Sequence, residues 1–141
     1  MAPSALTTPP TRIDRAEVAV MEWTTADDLP SIQALWPRFE RLVGLRGRKM
    51  YARVDERAGT YTVCTPVLAA DRPAELDLAT GVLPGSRYLR GHLSGDPPGM
   101  YARIGEAMAE LQAAADDVDG GRPLVEFYRR RDHVELWVPV R

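Results

Sequence analysis

Glu126 is the side chain in this sequence that is best placed to do chemistry. It lies in a strand-like run from Leu124 to Tyr128, in which successive side chains point to opposite faces of a sheet. Glu126 and Tyr128 therefore share one face, and Glu126 points either into water or into a cavity. A solvated strand residue is the ordinary outcome. A carboxylate beside a phenol in a cavity could instead act as a counter-charge or a general base. The rest of the chain favours the cavity.

The strand pattern predicts which other side chains face such a cavity. Leu89 and Leu93 are expected to lie under a helix, so the residues that alternate with them should point into a groove. An offset of 69 residues between two similar halves of the chain adds their counterparts in the first half. The candidate ligand-binding residues around Glu126 and Tyr128 are Met21, Trp23, Tyr51, Tyr61, Tyr88, Arg90, His92 and Trp137.

A ring-lined groove around one glutamate suits a flat ligand that is cationic or carries a polarised ring. Aromatic side chains supply stacking area, worth ~0.5–1.5 kcal/mol per pair beyond burial, and the carboxylate supplies a counter-charge or a base. If the ligand is a strained electrophile, Glu126 could deprotonate an attacking water while Tyr88 or Tyr128 donates to a developing negative charge. The two histidines and the single cysteine show no metal-binding spacing, so neither a metal nor a cofactor is expected.

The elements that must position these residues begin near Arg12. Asp27 or Asp28 is expected to cap a first helix, and Pro37 should kink that helix or delay its start. Alternating apolar residues predict strands on either side of this helix. The predicted strands of the first half cover residues 16–23, 50–54 and 60–67, and the last two form a hairpin.

The second half repeats this order of elements after an irregular crossover predicted at residues 69–79. The turn at residues 83–86 starts a strand over residues 87–93. A helix follows, and its apolar residues step by three, four and three, as in one helical stripe. That stripe consists of Tyr101, Ile104, Met108 and Leu111, and the terminal hairpin covers residues 124–130 and 133–140.

The parallel between the halves predicts an internal duplication. The offset is 69 residues between the helical stripes and 73 between the last strands, where Thr65-Pro66-Val67 matches Val138-Pro139-Val140. The predicted fold is α+β, with duplicated β-α-β-β units at about residues 12–68 and 82–141. Pseudo-two-fold symmetry would relate the units, with antiparallel sheets and two helices around a central ligand cleft.

Composition bounds the class of protein. A chain of 141 residues with 45% hydrophobic residues suits one domain with a real core, predicted at residues 12–141 after a disordered tail at 1–11. The net charge is -2 and the basic residues are dispersed, which argues against direct nucleic-acid binding. The single cysteine, Cys64, excludes an intrachain disulfide, and no segment is expected to span a membrane. A cytoplasmic location is therefore expected.

The second half resembles the GyrI-like family of small-molecule-binding domains, also called the bacterial effector-binding domain superfamily. The resemblance covers roughly Arg12 to the C-terminus and is weaker in the first half. It implies a duplicated, pseudo-symmetric fold that binds aromatic or cationic molecules between its halves, at an acidic residue in the motif that Glu126 matches. The residues that carry it are Leu83-Pro84-Gly85, His92, Gly95, Tyr101, Leu111, Pro123, Glu126-Phe127-Tyr128 and Trp137-Val138-Pro139-Val140.

The resemblance implies several possible roles. Members of the family are effector-binding domains of transcription regulators, stand-alone drug-binding or gyrase-modulating proteins, and hydrolases of cyclopropane-containing DNA-alkylating natural products. The predicted tail of 11 residues leaves no room for a DNA-reading helix-turn-helix. This favours a stand-alone protein that gives resistance to a toxin or antibiotic by holding it or hydrolysing it. Modulation of gyrase and effector sensing for a transcription regulator are the alternatives.

Overall fold

Within residues 3–141, which a computed structural model describes, eight antiparallel strands form one curled sheet, accompanied by three α-helices. The sheet order is β1-β6-β8-β7-β3-β4-β2-β5. No helix in this range is both long enough and apolar enough to cross a membrane. The strands are β1 (Thr11–Arg15), β2 (Val18–Ala26), β3 (Met50–Asp55), β4 (Thr60–Pro66), β5 (Ala79–Leu83), β6 (Ser86–Ser94), β7 (Leu124–Arg130) and β8 (His133–Pro139). The helices are α1 (Leu29–Val43), α2 (Gly99–Ala102) and α3 (Ile104–Ala113), and Pro73–Leu76 forms a short 3-10 helix.

The first helix, α1, begins and ends where its sequence provides caps. The Asp28 side chain accepts a hydrogen bond from the Ser31 backbone N–H at 2.8 Å, which satisfies a donor that the first turn leaves unpaired. Gly44 ends the helix with a φ of 77°, a conformation that suits glycine. The predicted cap at Asp28 is confirmed. The predicted delay at Pro37 is wrong, because the helix begins at Leu29 and continues through this exposed proline.

The two faces of the sheet carry separate cores. On the helix face, Leu35 and Phe39 of α1 and Met108 and Leu111 of α3 pack on the sheet as part of one large cluster. The opposite face, here called the helix-free face, has a smaller cluster to which no residue of α1, α2 or α3 contributes. Its buried members are Val20, Tyr51, Cys64, Leu83, Tyr88, Val125 and Trp137.

The chain covers the helix-free face where two strand connections meet. An ideal Cβ at Gly85, in the β5–β6 turn, would lie 2.5 Å from the backbone N of Glu17 and 2.7 Å from the backbone O of Arg15, in the β1–β2 connection. The Arg15 guanidinium lies 4.8 Å from the ring centroid of Trp137. The two connections therefore pass in direct backbone contact, and they help to bury the rings beneath them.

Three parts of the predicted fold need correction. The predicted crossover at 69–79 leads into an additional strand, β5, because the outer edge of β2 accepts residues 79–83 as a partner. The predicted second helix is divided at Arg103 into α2 and α3. Composition predicts disorder for residues 1–11, yet Ala5 and Leu6 are buried and β1 begins at Thr11, because the chain here finds apolar and hydrogen-bonding partners. Residues 1–2 of that predicted tail lie outside the described residues.

Candidate functional site

Glu126 lies at the centre of the sheet, in the middle of β7. It pairs with Ala52 of β3 on one side and with Leu136 of β8 on the other. Its side chain is only 7% exposed and points to the helix face, like its alternate neighbours Leu124 and Tyr128. The small side chain of Ala52 leaves space opposite the carboxylate, and larger polar side chains fill that space.

Two tyrosine hydroxyls hold the Glu126 carboxylate. Tyr61 of β4 and Tyr128 of β7 donate to the same oxygen, Oε1, at 2.7 and 2.6 Å. Trp36 of α1 donates its indole N–H to the Tyr61 hydroxyl at 3.1 Å. Within residues 3–141, the second oxygen, Oε2, accepts no hydrogen bond. One oxygen of the carboxylate is thus engaged in a polar network, while the other is available to a ligand.

Aromatic rings from the helices cover this network. The Trp36 ring packs edge-on against Tyr128 at a centroid distance of 4.9 Å, and Tyr101 of α2 packs edge-on against Tyr128 at 6.1 Å. The Tyr101 hydroxyl donates to the backbone O of Arg131, at the tip of the β7–β8 hairpin, at 2.9 Å. One covering ring therefore comes from each half of the chain.

The electrostatics of the site are those of a buried anion without a cation. Burial raises the pKa of Glu126, an effect that the two tyrosine hydrogen bonds partly offset, and the nearby charge of Asp27 raises it further. The pKa values of Tyr61 and Tyr128 lie well above the usual tyrosine value, chiefly because of burial, so both hydroxyls are neutral donors. In the described part of the chain, Glu126 makes no ion pair with any arginine, lysine or histidine. The site therefore lacks the counter-charge that a buried carboxylate requires.

In this conformation the site is closed. Two shallow depressions on the surface lie elsewhere, and Glu126 contributes to neither. Their linings are Trp23, Arg38, Arg41, Leu42, Leu76 and Asp77 in one, and Asp96, Pro97, Arg130, Arg131 and Asp132 in the other. A ligand of aromatic size can contact the carboxylate only after Trp36 or Tyr101 moves aside.

The structure brings together some of the predicted site residues and separates others. Glu126, Tyr61 and Tyr128 are in direct contact on the helix face. Met21 and Trp23 are also on this face, Met21 in the buried core and Trp23 in a surface depression next to Arg38.

The prediction that the remaining candidates share a face with Glu126 is wrong. Tyr51, Tyr88 and Trp137 are packed together in the buried cluster of the helix-free face. His92 is also on that face, where its Nδ1 lies 2.9 Å from Nε2 of His133. The alternation of side chains along each strand was predicted correctly, and Leu89 and Leu93 do lie on the helix face. The error was to place the groove on the face away from the helices, whereas Glu126 points towards them.

Trp36 and Tyr101 were not predicted as site residues. Tyr101 was assigned to the apolar stripe of the second helix, and Trp36 stands next to Pro37, where the helix pattern was ambiguous. Both are aromatic residues on predicted helices of a chain in which a strand glutamate needs cover, and that is the only signal available in the sequence. Within residues 3–141, no three His, Cys, Asp or Glu side chains are grouped so that they could hold a metal ion.

Comparisons with known proteins show the fold. The chain matches no protein-family model, and no curated protein matches its sequence significantly. An integron cassette protein of Vibrio cholerae, VCH_CASS2, has a TM-score of 0.71 with 17% identity over 94% of this chain and 95% of that chain. SAV2435, in a structure bound to tetraphenylphosphonium, has a TM-score of 0.64 with 16% identity over 95% and 94%. EcmrR, in a cryo-EM structure of its complex with DNA, has a TM-score of 0.60 with 12% identity over 94% of this chain and 57% of that chain.

At these identities the similarity shows the fold alone, and that fold is consistent with the GyrI-like resemblance of the sequence. The EcmrR structure is of a complex with DNA. The expectation that this chain binds no nucleic acid therefore stays a prediction.

Proposed function

We propose that this protein binds an aromatic organic cation at Glu126. The observation that carries the proposal is that Glu126 is buried among aromatic rings and has no cationic partner within residues 3–141. A ligand cation would supply the missing counter-charge, and the rings of Trp36, Tyr101 and Tyr128 would supply stacking and cation–π contacts. The match of SAV2435, whose structure contains tetraphenylphosphonium, supports the proposal because that protein has the same fold.

Binding requires the site to open. The rings of Trp36 and Tyr101 lie where a ligand would pass, and each belongs to a helix rather than to the sheet. Tyr101 is already 38% exposed and α2 is only four residues long, so α2 is the easier element to displace. The carboxylate and its two tyrosine partners are fixed on β4 and β7 and would stay in place as the preformed floor of the site.

The biological role that we favour is resistance by sequestration of a toxic cation. The alternative role, effector sensing for a transcription regulator, is supported by the match to EcmrR in its complex with DNA. Modulation of gyrase needs an exposed protein-binding surface, and no feature around the buried Glu126 provides one. Each of these roles depends on the same ligand site.

Hydrolysis of a bound ligand is a second candidate function. The pKa of Glu126 is raised, as a general base near neutral pH requires, and Oε2 is without a hydrogen bond in the described structure. In this mechanism Glu126 would deprotonate a water that opens an electrophilic ring such as a cyclopropane, while Tyr61 or Tyr128 stabilises the developing negative charge. Tyr88 has no part in it, because its hydroxyl donates to the backbone O of Pro84 on the helix-free face.

Tetraphenylphosphonium and the substitution Glu126→Gln test the binding proposal. The glutamine keeps the size of the side chain but removes its charge, so affinity measured by calorimetry should fall roughly ten- to a hundredfold, the effect of about 1–3 kcal/mol. The exposed Glu106 of α3 provides a matched control, and Glu106→Gln should bind as the parent does. Tetraphenylborate, which has a similar shape and the opposite charge, should not bind. Equal affinity of the two variants for the cation would refute the proposal.

Turnover is tested separately from affinity. A panel of cyclopropane-bearing aromatic compounds is incubated with the protein, and mass spectrometry detects the addition of one water to the released compound. If Glu126 is the base, Glu126→Gln should still bind a neutral substrate but convert it at least about a hundredfold more slowly. Unchanged conversion by a folded Gln variant would eliminate this mechanism and leave the binding proposal intact.

We also infer that the two halves of the chain are structurally equivalent. Exchanging β1 with β5, β2 with β6, β3 with β7 and β4 with β8 converts the sheet order into its own reverse. The registers support the same exchange, since Val20 pairs with Pro66 as Tyr88 pairs with Pro139. By this register the offset between β2 and β6 is 68 residues, from Val20 to Tyr88, rather than the 69 expected from the helices. Each half then contains a β-β-α-β-β unit, and each gives its first strand to the other half.

A further inference from the structure

The N-terminal segment Ser4–Thr7 occupies a groove between α3 and β6. The Ala5 backbone N–H donates to Oε1 of Glu110 at 2.8 Å, and the Ser4 hydroxyl donates to the other oxygen of the same carboxylate. The Thr7 backbone N–H donates to the backbone O of His92 at 2.8 Å, on the edge of β6 beyond its pairing with β1. The segment thus binds as an extended peptide, through one strand edge and one helix carboxylate.

Leu6 supplies the apolar contact of this segment. An ideal Cβ at Gly91 of β6 would lie 2.8 Å from Cδ2 of Leu6 and 3.3 Å from Cδ1 of Leu111 of α3. Glycine at position 91 therefore makes the room that Leu6 fills. With Leu6 in place, Leu111 is completely buried.

The equivalent groove in the first half, between α1 and β2, is open. Leu42 of α1 stands where Leu111 stands in α3, and Leu42 is 37% exposed. The pairing of β5 with β2 stops at Glu22, so within residues 3–141 the edge of β2 from Trp23 to Ala26 has no partner strand on that side. A surface depression lies here, lined by Trp23, Arg38, Arg41, Leu42, Leu76 and Asp77.

The charge of the open groove is opposite to that of the filled one. Arg41 of α1 stands at the position of Glu110 in α3, and the Arg38 guanidinium lies over the Trp23 ring at 4.9 Å from its centroid. Neither arginine forms an ion pair or a side-chain hydrogen bond within the described residues. Asp77 is the acidic group of the lining, next to Leu76 of the 3-10 helix, so the two arginines of α1 mark the side of the groove that attracts an anion.

We propose that the groove between α1 and β2 binds a short extended peptide segment of another protein, with an acidic residue two positions before an apolar one. The backbone of this segment would pair with the free edge of β2, as Thr7 pairs with β6. Its apolar side chain would lie on Trp23 and Leu42, and its acidic side chain would reach Arg41, where the chain's own segment uses Ser4 to reach Glu110. The site is distinct from the one around Glu126 and does not depend on what binds there.

Two blocked tetrapeptides test this proposal by ¹⁵N NMR. Asp-Ala-Leu-Thr follows the pattern of residues 4–7 with an acid in place of serine, and Lys-Ala-Leu-Thr reverses its charge. The indole N–H signal of Trp23 should shift in a saturable way with the acidic peptide, and the acidic peptide should bind at least about tenfold more tightly than the basic one. The indole of Trp137, which is buried and donates to Glu135, should not shift and reports that the fold is intact.

Charge reversal at Arg41 separates a specific site from general surface attraction. Arg41→Glu should invert the preference, so that the basic peptide binds more tightly, while Arg46→Glu at an exposed loop position should leave the preference unchanged. The proposal is overturned if the Trp23 signal does not saturate with the acidic peptide, or if Arg41→Glu does not alter the preference. It is also overturned if acetate alone shifts the Trp23 signal as strongly as the peptide does.

Discussion

Glu126 shows how a single residue can be placed for binding at a cost in stability. Its carboxylate is buried, and the two phenol hydrogen bonds do not fully offset the loss of hydration, so its pKa is raised. A folded protein that keeps such a group without a counter-charge is less stable than one with a neutral side chain there. This is the usual relation between a preformed site and the stability of the protein that carries it.

The raised pKa of Glu126 predicts how stability changes with pH. Between the pKa of the unfolded chain and the higher pKa of the folded protein, the folded state carries more protons at this position. The free energy of unfolding therefore falls as the pH rises through that window. Glu126→Gln removes the effect, so its free energy of unfolding relative to the parent should increase with pH and then level off.

Urea denaturation of both proteins from about pH 4 to about pH 8 measures this difference. Glu106→Gln, at an exposed position of α3, controls for the loss of one carboxylate. A difference between Glu126→Gln and the parent that stays constant, or that falls with pH, would show that Glu126 is not destabilised in its charged form.

At the residue scale, the sequence predicted the parts of the site that depend on strand alternation. Glu126 and Tyr128 lie two residues apart on one strand, and period two places them on one face whatever the rest of the fold does. Tyr61 required the pairing of β3 with both β4 and β7, and Trp36 and Tyr101 required the rotation of two helices over the sheet. Those arrangements come from tertiary packing, and no local pattern encodes them.

At the scale of elements, Gly85 has a role that a pattern of turn residues does not reveal. Its sequence context predicted a tight turn, but the structure shows that the turn passes against the backbone of the β1–β2 connection. Gly85→Ala would place a Cβ within 3 Å of three backbone atoms of residues 15–17, which cannot rotate away as a side chain can. We expect a loss of about 1–3 kcal/mol in the free energy of unfolding, the usual cost of overpacking.

Gly105 of α3 is the matched control for this substitution. An ideal Cβ at Gly105 meets no atom within 4 Å, and alanine is the better helix former. Gly105→Ala should therefore stabilise the protein by up to about 1 kcal/mol in the same denaturation assay. If Gly85→Ala is as stable as the parent, the contact between the two connections is not a constraint on the fold.

The elements themselves were largely predictable where local chemistry defines them. Asp28 and the following periodic residues indicated α1, and the alternating runs of the two hairpins indicated β3, β4, β7 and β8. The strand β5 was missed because Thr80 and Val82 are its only β-branched residues before Leu83, in a segment rich in alanine and charge. What makes it a strand is the free edge of β2, a partner far away in the sequence.

At the scale of the whole molecule, the exchange of first strands joins the halves. The strand β1 pairs with β6 of the other half, and β5 pairs with β2. If the chain is cut in the exposed segment between Ala69 and Ala70, each fragment has a first strand without its partner. We expect the two fragments to be incompletely folded alone and to assemble one to one when mixed.

Circular dichroism and native mass spectrometry measure this assembly. Recovery of tetraphenylphosphonium binding would report the ligand site itself, because Tyr61 belongs to one fragment and Glu126 to the other. Cooperative unfolding of the isolated fragment 1–69, with the stability of the intact protein, would contradict the interdependence of the halves.

The direct pairing of Ala52 with Glu126 gives the site a direction. Under the proposed equivalence of the halves, these two residues occupy the same position in each half and face each other across the boundary. Two glutamates at about 5 Å could not both be ionised, and two alanines would hold no charge at all. With one of each, the single charge is displaced from the centre, towards β7. A ligand with one charged end then has one preferred orientation instead of two equal ones, and a near-symmetric scaffold distinguishes head from tail.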